Sequence, residues 1–235
     1  MADVVKVNWS GGKDSTCALL KHIERGDKVI AVCYIPMLTD KIPLILKEHY
    51  EFILDATNRF RAMGATVHLV TGKTYYEVVT HRSGRGKFKG RAFGFPPFTV
   101  GHCHFLRESK SKALNSLALD YDYEDIGIAF DEVKRLSFLS DTRRSILYEL
   151  EISEDEARRI CEEAQFLSPK YSDSTRDGCA LCPQAKAKER EKWLRQYPEA
   201  MSVVLELQEF VKRERPDQTP LRNHKWFIED DGTIN

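Results

Sequence analysis

Ser10-Gly11-Gly12-Lys13-Asp14-Ser15 has the residue types and the spacing to hold a phosphate. It follows the apolar run Val4-Val5-Lys6-Val7-Asn8-Trp9 and precedes Thr16-Cys17-Ala18-Leu19-Leu20. A strand that turns through two glycines into a helix aims backbone N–H groups at one point, where the helix dipole adds positive potential. The glycines let the backbone approach an anion closely, and Ser10 and Ser15 add hydroxyl donors. The spacing is not that of a Walker A loop, which needs four residues between its first glycine and the Gly-Lys pair. It is not the G-x-G-x-x-G dinucleotide fingerprint either. The chemistry expected here is a grip on the phosphates of a nucleotide.

Thiols form a second set. Gly178-Cys179-Ala180-Leu181-Cys182-Pro183 places two cysteines within reach of one metal on a glycine-hinged turn. One Cys-x-x-Cys is half a site, and Gly101-His102-Cys103-His104 is the best complement. Three thiolates, Cys103, Cys179 and Cys182, suit an iron–sulfur cluster with one open position, or zinc completed by a histidine such as His102. Redox chemistry of the pair alone is a third reading. His102 and His104 read equally well as surface histidines. Cys33 lies in an apolar run and Cys161 on a stripe with Ala157, Ile160 and Ala164, so both read as core thiols. Cys17, in the first helical turn after the loop, reads as packing before reactivity.

Residues 81–91 concentrate cations, including Arg85, Lys87 and Lys89, and Phe93, Phe95 and Phe98 follow. Cations for phosphates with rings for stacking describe a single-strand nucleic-acid surface. The alternative is a solvated loop whose phenylalanines pack beside prolines.

Alternating strand and helix patterns must position these groups. Strands are expected over residues 4–9, 28–35 and 65–70, and helices over 15–25 and 49–63, with Gly26 and Gly64 as stops. This β-α-β-α-β order calls for a parallel sheet with right-handed crossovers and ligands at the carboxyl ends of its strands. A helix is expected over about 105–119 and a strand over 125–130. Ser153 and Glu156 signal a capping box for a helix to about residue 165. Two further helices are expected over about 184–196 and 199–213.

The 235 residues balance 36 Lys+Arg against 36 Asp+Glu, so any basic surface is local. Without an apolar run of membrane-spanning length or a signal-peptide h-region, the expectation is a cytoplasmic protein with no membrane partner. Six cysteines in that setting are thiols or ligands, not a disulfide framework.

The hexapeptide resembles the S-G-G-x-D-S loop of the PP-loop ATP pyrophosphatases. Gly127-Ile128-Ala129-Phe130-Asp131-Glu132-Val133-Lys134-Arg135 resembles the G-x-R-x-D-E-S-x-x-R segment of the phosphoadenosine phosphosulfate reductase family, with Ala129 and Val133 replacing arginine and serine. Ser168-Pro169-Lys170-Tyr171 and the Cys-x-x-Cys resemble that family's P-x-Y and G-C-x-x-C elements. His102-Cys103 falls where its iron–sulfur members carry adjacent cysteines.

The resemblance implies an α/β fold of the adenine nucleotide alpha hydrolase type. That is a Rossmann-like parallel sheet with helices on both faces and a helical C-terminal extension. It divides the chain into a nucleotide-binding core over 1–150 and a mainly helical part over 151–235 carrying the Cys-x-x-Cys. Sulfonucleotide reductases use a cysteine in a C-terminal tail, and here none follows Cys182. Their phosphate loop also usually departs from S-G-G-x-D-S, which this chain keeps.

The leading expectation is therefore an enzyme that splits ATP to AMP and pyrophosphate by adenylating a substrate. Sulfur transfer to tRNA or DNA, with a sulfur-donor protein as partner, would follow. Ser10, Gly11, Gly12, Lys13 and Ser15 are expected to hold pyrophosphate, and Asp14 to orient the loop or help hold Mg²⁺. Arg135 is expected to clamp phosphate, while Asp131 and Glu132 place it or meet the substrate; a solvated helix start is the alternative for these three. The other functional readings are a sulfonucleotide reductase-like oxidoreductase and a nucleotide-binding protein without turnover. An oligomer stays open.

Overall fold

The computed structural model describes residues 2–84, 89–99, 102–172, 178–216 and 225–235. The chain begins with β1 (Val4–Trp9), α1 (Lys13–Arg25), β2 (Lys28–Tyr34), α2 (Lys47–Ala62), β3 (Thr66–Val70) and α3 (Tyr75–Thr80). There follow β4 (Phe98–Thr99), β5 (His102–Cys103), a π-helical turn (Leu106–Ser111), α4 (Lys112–Asn115), β6 (Tyr123–Asp125) and a 3₁₀ turn (Val133–Phe138). The remainder is β7 (Arg143–Arg144), α5 (Ile146–Glu149), α6 (Glu154–Glu163), a 3₁₀ turn (Pro169–Ser172), α7 (Ala187–Gln196) and α8 (Ala200–Glu214).

Two compact units share the chain. The first comprises Met1–Tyr34, Glu48–Val70 and Leu117–Asp177, and the second Ile35–Lys47, Thr71–Ser116 and Gly178–Asn235. Both are discontinuous in sequence, whereas the motif reading drew one boundary after residue 150. Among the described residues, no helix is long and apolar enough to cross a membrane.

The first unit is α/β. Its sheet has five strands in the order β3-β2-β1-β6-β7, every pair parallel. β1 lies at the centre, with Val5 opposite Val29 on one side and Tyr123 on the other. Such a strand is covered on both faces, hence the buried Val5, Val7 and Trp9 and the nearly unbroken apolar run of β2. Trp9 meets Phe60 edge-on at 5.4 Å, and Phe60 stacks on Phe166 at 4.4 Å. α1 ends where Gly26 takes φ +85°, a left-handed stop that costs glycine little. It packs on α6, which Ser153 caps by accepting the Glu156 N–H.

β6 differs from the expected strand over 125–130. It ends at Asp125, because that buried carboxylate turns to accept the Ile146 N–H at 2.7 Å. The apolar residues that follow, Ile128 and Ala129, are buried by packing rather than by strand pairing. Apolar content alone does not separate those cases. His22, fully buried on α1, lies between Asp27 (2.7 Å) and Asp125 (3.1 Å). Burial works to raise the Asp27 carboxyl, but hydrogen bonds from His22 and Arg25 outweigh it and hold it below the usual range.

In the second unit, Thr74 and Glu77 close a capping box on α3, and β4 and β5 form a short antiparallel pair. The helix expected over 105–119 is shorter and opens as the π-helical turn, where the buried Ser109 hydroxyl donates to the Lys73 carbonyl.

Candidate functional site

The Ser10–Ser15 loop leaves the carboxyl end of the central strand β1 and enters α1 directly. Gly11 takes φ +75°, and a Cβ there would sit 2.8 Å from both His49 Cε1 and Ile53 Cγ1. Only glycine combines that backbone conformation with that closeness. Gly12 precedes the first turn of α1, which no side chain caps. The loop braces itself through its serines. The Ser10 N–H donates to Ser15 Oγ (3.1 Å), the two hydroxyls share a bond (3.1 Å), and the Gly12 N–H donates to Ser10 Oγ (3.2 Å).

Lys13 Nζ donates to Asp14 at 2.7 Å and lies 3.6 Å from Glu154. Burial raises the Asp14 carboxyl against the opposing pull of Lys13, and the charges of Glu154 and Glu132 push it up further. Gly127 backs onto this turn so closely that a Cβ would lie 2.7 Å from the Ser15 amide nitrogen. The Gly127–Arg135 segment thus stands beside the loop. Within it Glu132 accepts the Ala129 N–H (3.1 Å) and two bonds from Arg135 (2.7 and 2.9 Å). Arg135 is half exposed and pairs with Glu132, while exposed Asp131 accepts the Glu154 N–H.

His49 beside the loop escapes sequence reasoning, and the Ser168–Tyr171 stretch carries a resemblance to a P-x-Y element but no sign of where it lies. His49 packs under Gly11 from α2, a polar residue on a buried stripe with Phe52, Ile53 and Ala56. That misplaced polarity is its only signal. The Ser168–Tyr171 stretch reaches the loop from the other direction. Ser168 Oγ lies 2.9 Å from His49 Nδ1, and Lys170 Nζ 3.4 Å from His49 Nε2. The Tyr171 hydroxyl accepts the Lys13 N–H at 3.0 Å. Behind the loop, Cys17 and Cys161 are both fully buried, as expected of core thiols. The Cys161 thiol donates to the Lys13 carbonyl at 3.2 Å. Its bond with Cys17, followed by burial, raises it far above the ordinary thiol range.

Cys103, Cys179 and Cys182 belong to the second unit and share the neighbourhood of Tyr75. Burial, then the charges of Cys103, Cys179 and Cys182, push this phenol well up, while Arg190 opposes them. The Tyr75 hydroxyl donates to the Leu181 carbonyl, inside the Cys-x-x-Cys, at 3.3 Å. Burial raises the Cys103 thiol, the Leu106 and Phe105 amides oppose that rise, and Cys182 adds to it. The Leu106 N–H donates to Cys103 Sγ at 3.5 Å, and an N–H bond to sulfur favours the thiolate that ligates metals. The donor chemistry fits a thiolate-bound metal. Among the described residues, however, no three His, Cys, Asp or Glu side chains converge as a ligand set. His102 is exposed, and His104 stacks on Phe93 at 4.6 Å.

Of the basic loop, Arg85 and Lys87 lie outside the described residues, and Lys89 is exposed. Of the two readings of the rings, packing describes Phe95 and Phe93, while Phe98 is half-buried. Phe95 is fully buried against Tyr75 and Phe227, and Phe93 packs between His81 and His104. Compared with protein-family models and with curated proteins, the chain has no match.

Proposed function

We propose that this chain is an ATP-binding enzyme of the PP-loop, phosphoadenosine phosphosulfate reductase-like type. In this reading it cleaves ATP to AMP and pyrophosphate by adenylating a substrate. The observation that carries the proposal is the Ser10–Ser15 loop at the end of β1, the middle strand of a β3-β2-β1-β6-β7 parallel order. We read that order as Rossmann-like, and open parallel α/β sheets bind ligands beyond the carboxyl ends of their strands.

A substrate oxygen attacks the α-phosphorus, the bond to the α–β bridging oxygen breaks, and pyrophosphate leaves with that electron pair. Such a reaction needs positioning and charge neutralisation more than covalent help. Ser10, Gly11, Gly12 and Ser15 hold the departing pyrophosphate, and Lys13 adds a cation. Asp14 orients Lys13 and would help hold Mg²⁺, whose charge would neutralise that of the phosphates. Glu132 fixes Arg135 at the rim, where a swing of its exposed guanidinium brings it to a phosphate.

The downstream chemistry we favour is sulfur transfer to a tRNA or DNA, with a sulfur-donor protein as partner. Lys89, Arg85 and Lys87 are its phosphate contacts. Cys103, Cys179 and Cys182 are the donors for an iron–sulfur cluster, or for zinc. No step of the adenylation passes through that centre.

Calorimetric titration with ATP tests the first part. Ser10→Ala with Ser15→Ala is expected to weaken binding by about 1–3 kcal/mol, the cost of lost bonds to charged groups and of a loop whose amide partners are gone. Unchanged affinity in the folded double variant removes the loop from the nucleotide site. Elemental analysis tests the second. Serine at Cys103, Cys179 or Cys182 is expected to lower bound iron or zinc and to loosen the Cys-x-x-Cys turn, because metal binding contributes folding free energy. Alanine at Cys33 or Cys161 is expected to lower stability and leave metal per folded molecule unchanged. Wild-type protein purified anaerobically with neither metal refutes the metal assignment.

A further inference from the structure

Five of the ten large apolar side chains exposed among the described residues fall between Phe130 and Leu150, in the first unit. Val133 is 70% exposed, Phe138 58% and Leu150 52%. Apolar residues exposed singly ask for no explanation, but a cluster of them marks an interaction surface. Phe130 stacks on Tyr148 at 5.6 Å, and its N–H donates to the Ile152 carbonyl at 2.9 Å, which sets it beside Leu150. The Val133–Phe138 turn begins three residues later, and a bridge between Ser140 and Arg143 closes the return to β7. β7 is the last strand of its sheet, and the N–H and carbonyl of Arg143 both bond to Ser140, at 3.1 and 2.8 Å. A partner arriving there docks on side chains, because those backbone groups are already taken.

The charges around the cluster choose the partner. Arg135 pairs with Glu132, Arg143 with Glu124 and Glu149 with Arg25. The side chains of Lys134 and Asp141, both exposed, have no partner among the described residues. One unpaired cation and one unpaired anion thus flank Phe138 in the sequence. A nucleic acid would meet Asp131, Asp141 and Glu149 as well as the cations, and Val133 and Leu150 offer no ring to stack on a base. A two-fold axis sets residue i of one copy against residue j of the other and j against i, so it suits a patch that carries both signs. The balance of 36 Lys+Arg and 36 Asp+Glu leaves no net long-range repulsion between copies.

We propose that this surface is the contact of a two-fold homodimer. Val133 and Phe138 supply its apolar centre, and Lys134 of each copy pairs with Asp141 of the other. The inference goes beyond the nucleotide reading and does not rest on it.

Sedimentation equilibrium of the full chain over a range of concentrations tests it. The wild-type protein is expected to show a monomer–dimer equilibrium. Phe138→Glu is expected to raise the dissociation constant about 30-fold or more, as a loss at the centre of an interface does. Lys134→Glu and Asp141→Lys each set like charges together twice in the dimer, and each is expected to raise the constant about tenfold or more. The double variant restores opposite charges and is expected to return to within about threefold of wild type. All three side chains are exposed, so the variants are expected to fold, and circular dichroism checks that they do. A wild-type chain that stays monomeric overturns the proposal, as does a dimer indifferent to Phe138→Glu. Single reversals that the double variant does not rescue overturn the Lys134–Asp141 pairing, and with it the two-fold contact. A monomer that binds a single-stranded oligonucleotide, and loses it in Phe138→Glu, assigns the surface to nucleic acid instead.

Discussion

Gly127→Ala is expected to destabilise the protein by about 1–3 kcal/mol, as overpacking of a tight contact does, and to weaken ATP binding about tenfold or more. The new methyl carbon would lie 2.7 Å from the Ser15 amide nitrogen and 2.8 Å from both Asp14 C and Ser15 Cα. All three are main-chain atoms of the first turn of α1, so no flexible side-chain end can yield. Either the exit of β6 or the start of α1 must move, and the start of α1 carries the loop amides. Gly84→Ala is the control, since nothing lies within 4 Å of a Cβ there. Chemical unfolding and ATP calorimetry check both variants. A Gly127→Ala protein with wild-type stability and affinity would contradict the close approach and detach this segment from the site.

The largest loss of stability is expected from Asp125→Ala, about 3–5 kcal/mol, the usual cost of removing one partner from a buried charged network. Asp125 has no solvent exposure, accepts the Ile146 N–H and stands 3.1 Å from His22 Nε2. Its removal strands that amide and leaves His22 with Asp27 as its remaining carboxylate. Urea unfolding measures the effect, and a loss under about 1 kcal/mol would show that the network contributes little. Asp125→Asn, which keeps an oxygen for Ile146, is expected to fall between the two proteins.

The loop and its flanking elements were legible because their signals are local. Two adjacent glycines separate a period-two run from a helical one, and Gly26 marks the end of α1 where the structure places it. β6 was misplaced because three residues suffice for it, while the apolar residues after it face the core from a turn. His49 shows only a polar residue on an apolar stripe, and Lys170 and Tyr171 only their likeness to a P-x-Y element; neither signal tells that they meet. What unites them is tertiary, a helix from one part of the chain meeting a turn about 120 residues later. Cys103, Cys179 and Cys182 lie far apart in the sequence, yet all three act on the one phenol of Tyr75. The ring-rich segment stayed open between two readings because a buried phenylalanine and a stacking platform have the same letter. The interleaving of the two units is likewise invisible to any reading that draws boundaries along the sequence.

The central place of β1 has a dynamic consequence. Its amides and carbonyls bond to β2 on one side and β6 on the other, so exchange of its amide hydrogens is expected to await an opening of the sheet itself. The Ser10–Ser15 loop is therefore anchored to a strand expected to exchange slowly, and local fraying is expected to do little to reshape it. In the proposed nucleotide reading, adaptation to an arriving anion falls to the two walls that lie outside the sheet, the Gly127–Arg135 segment and the Ser168–Ser172 turn. Exchange rates measured with and without pyrophosphate should differ in those walls and stay constant along β1.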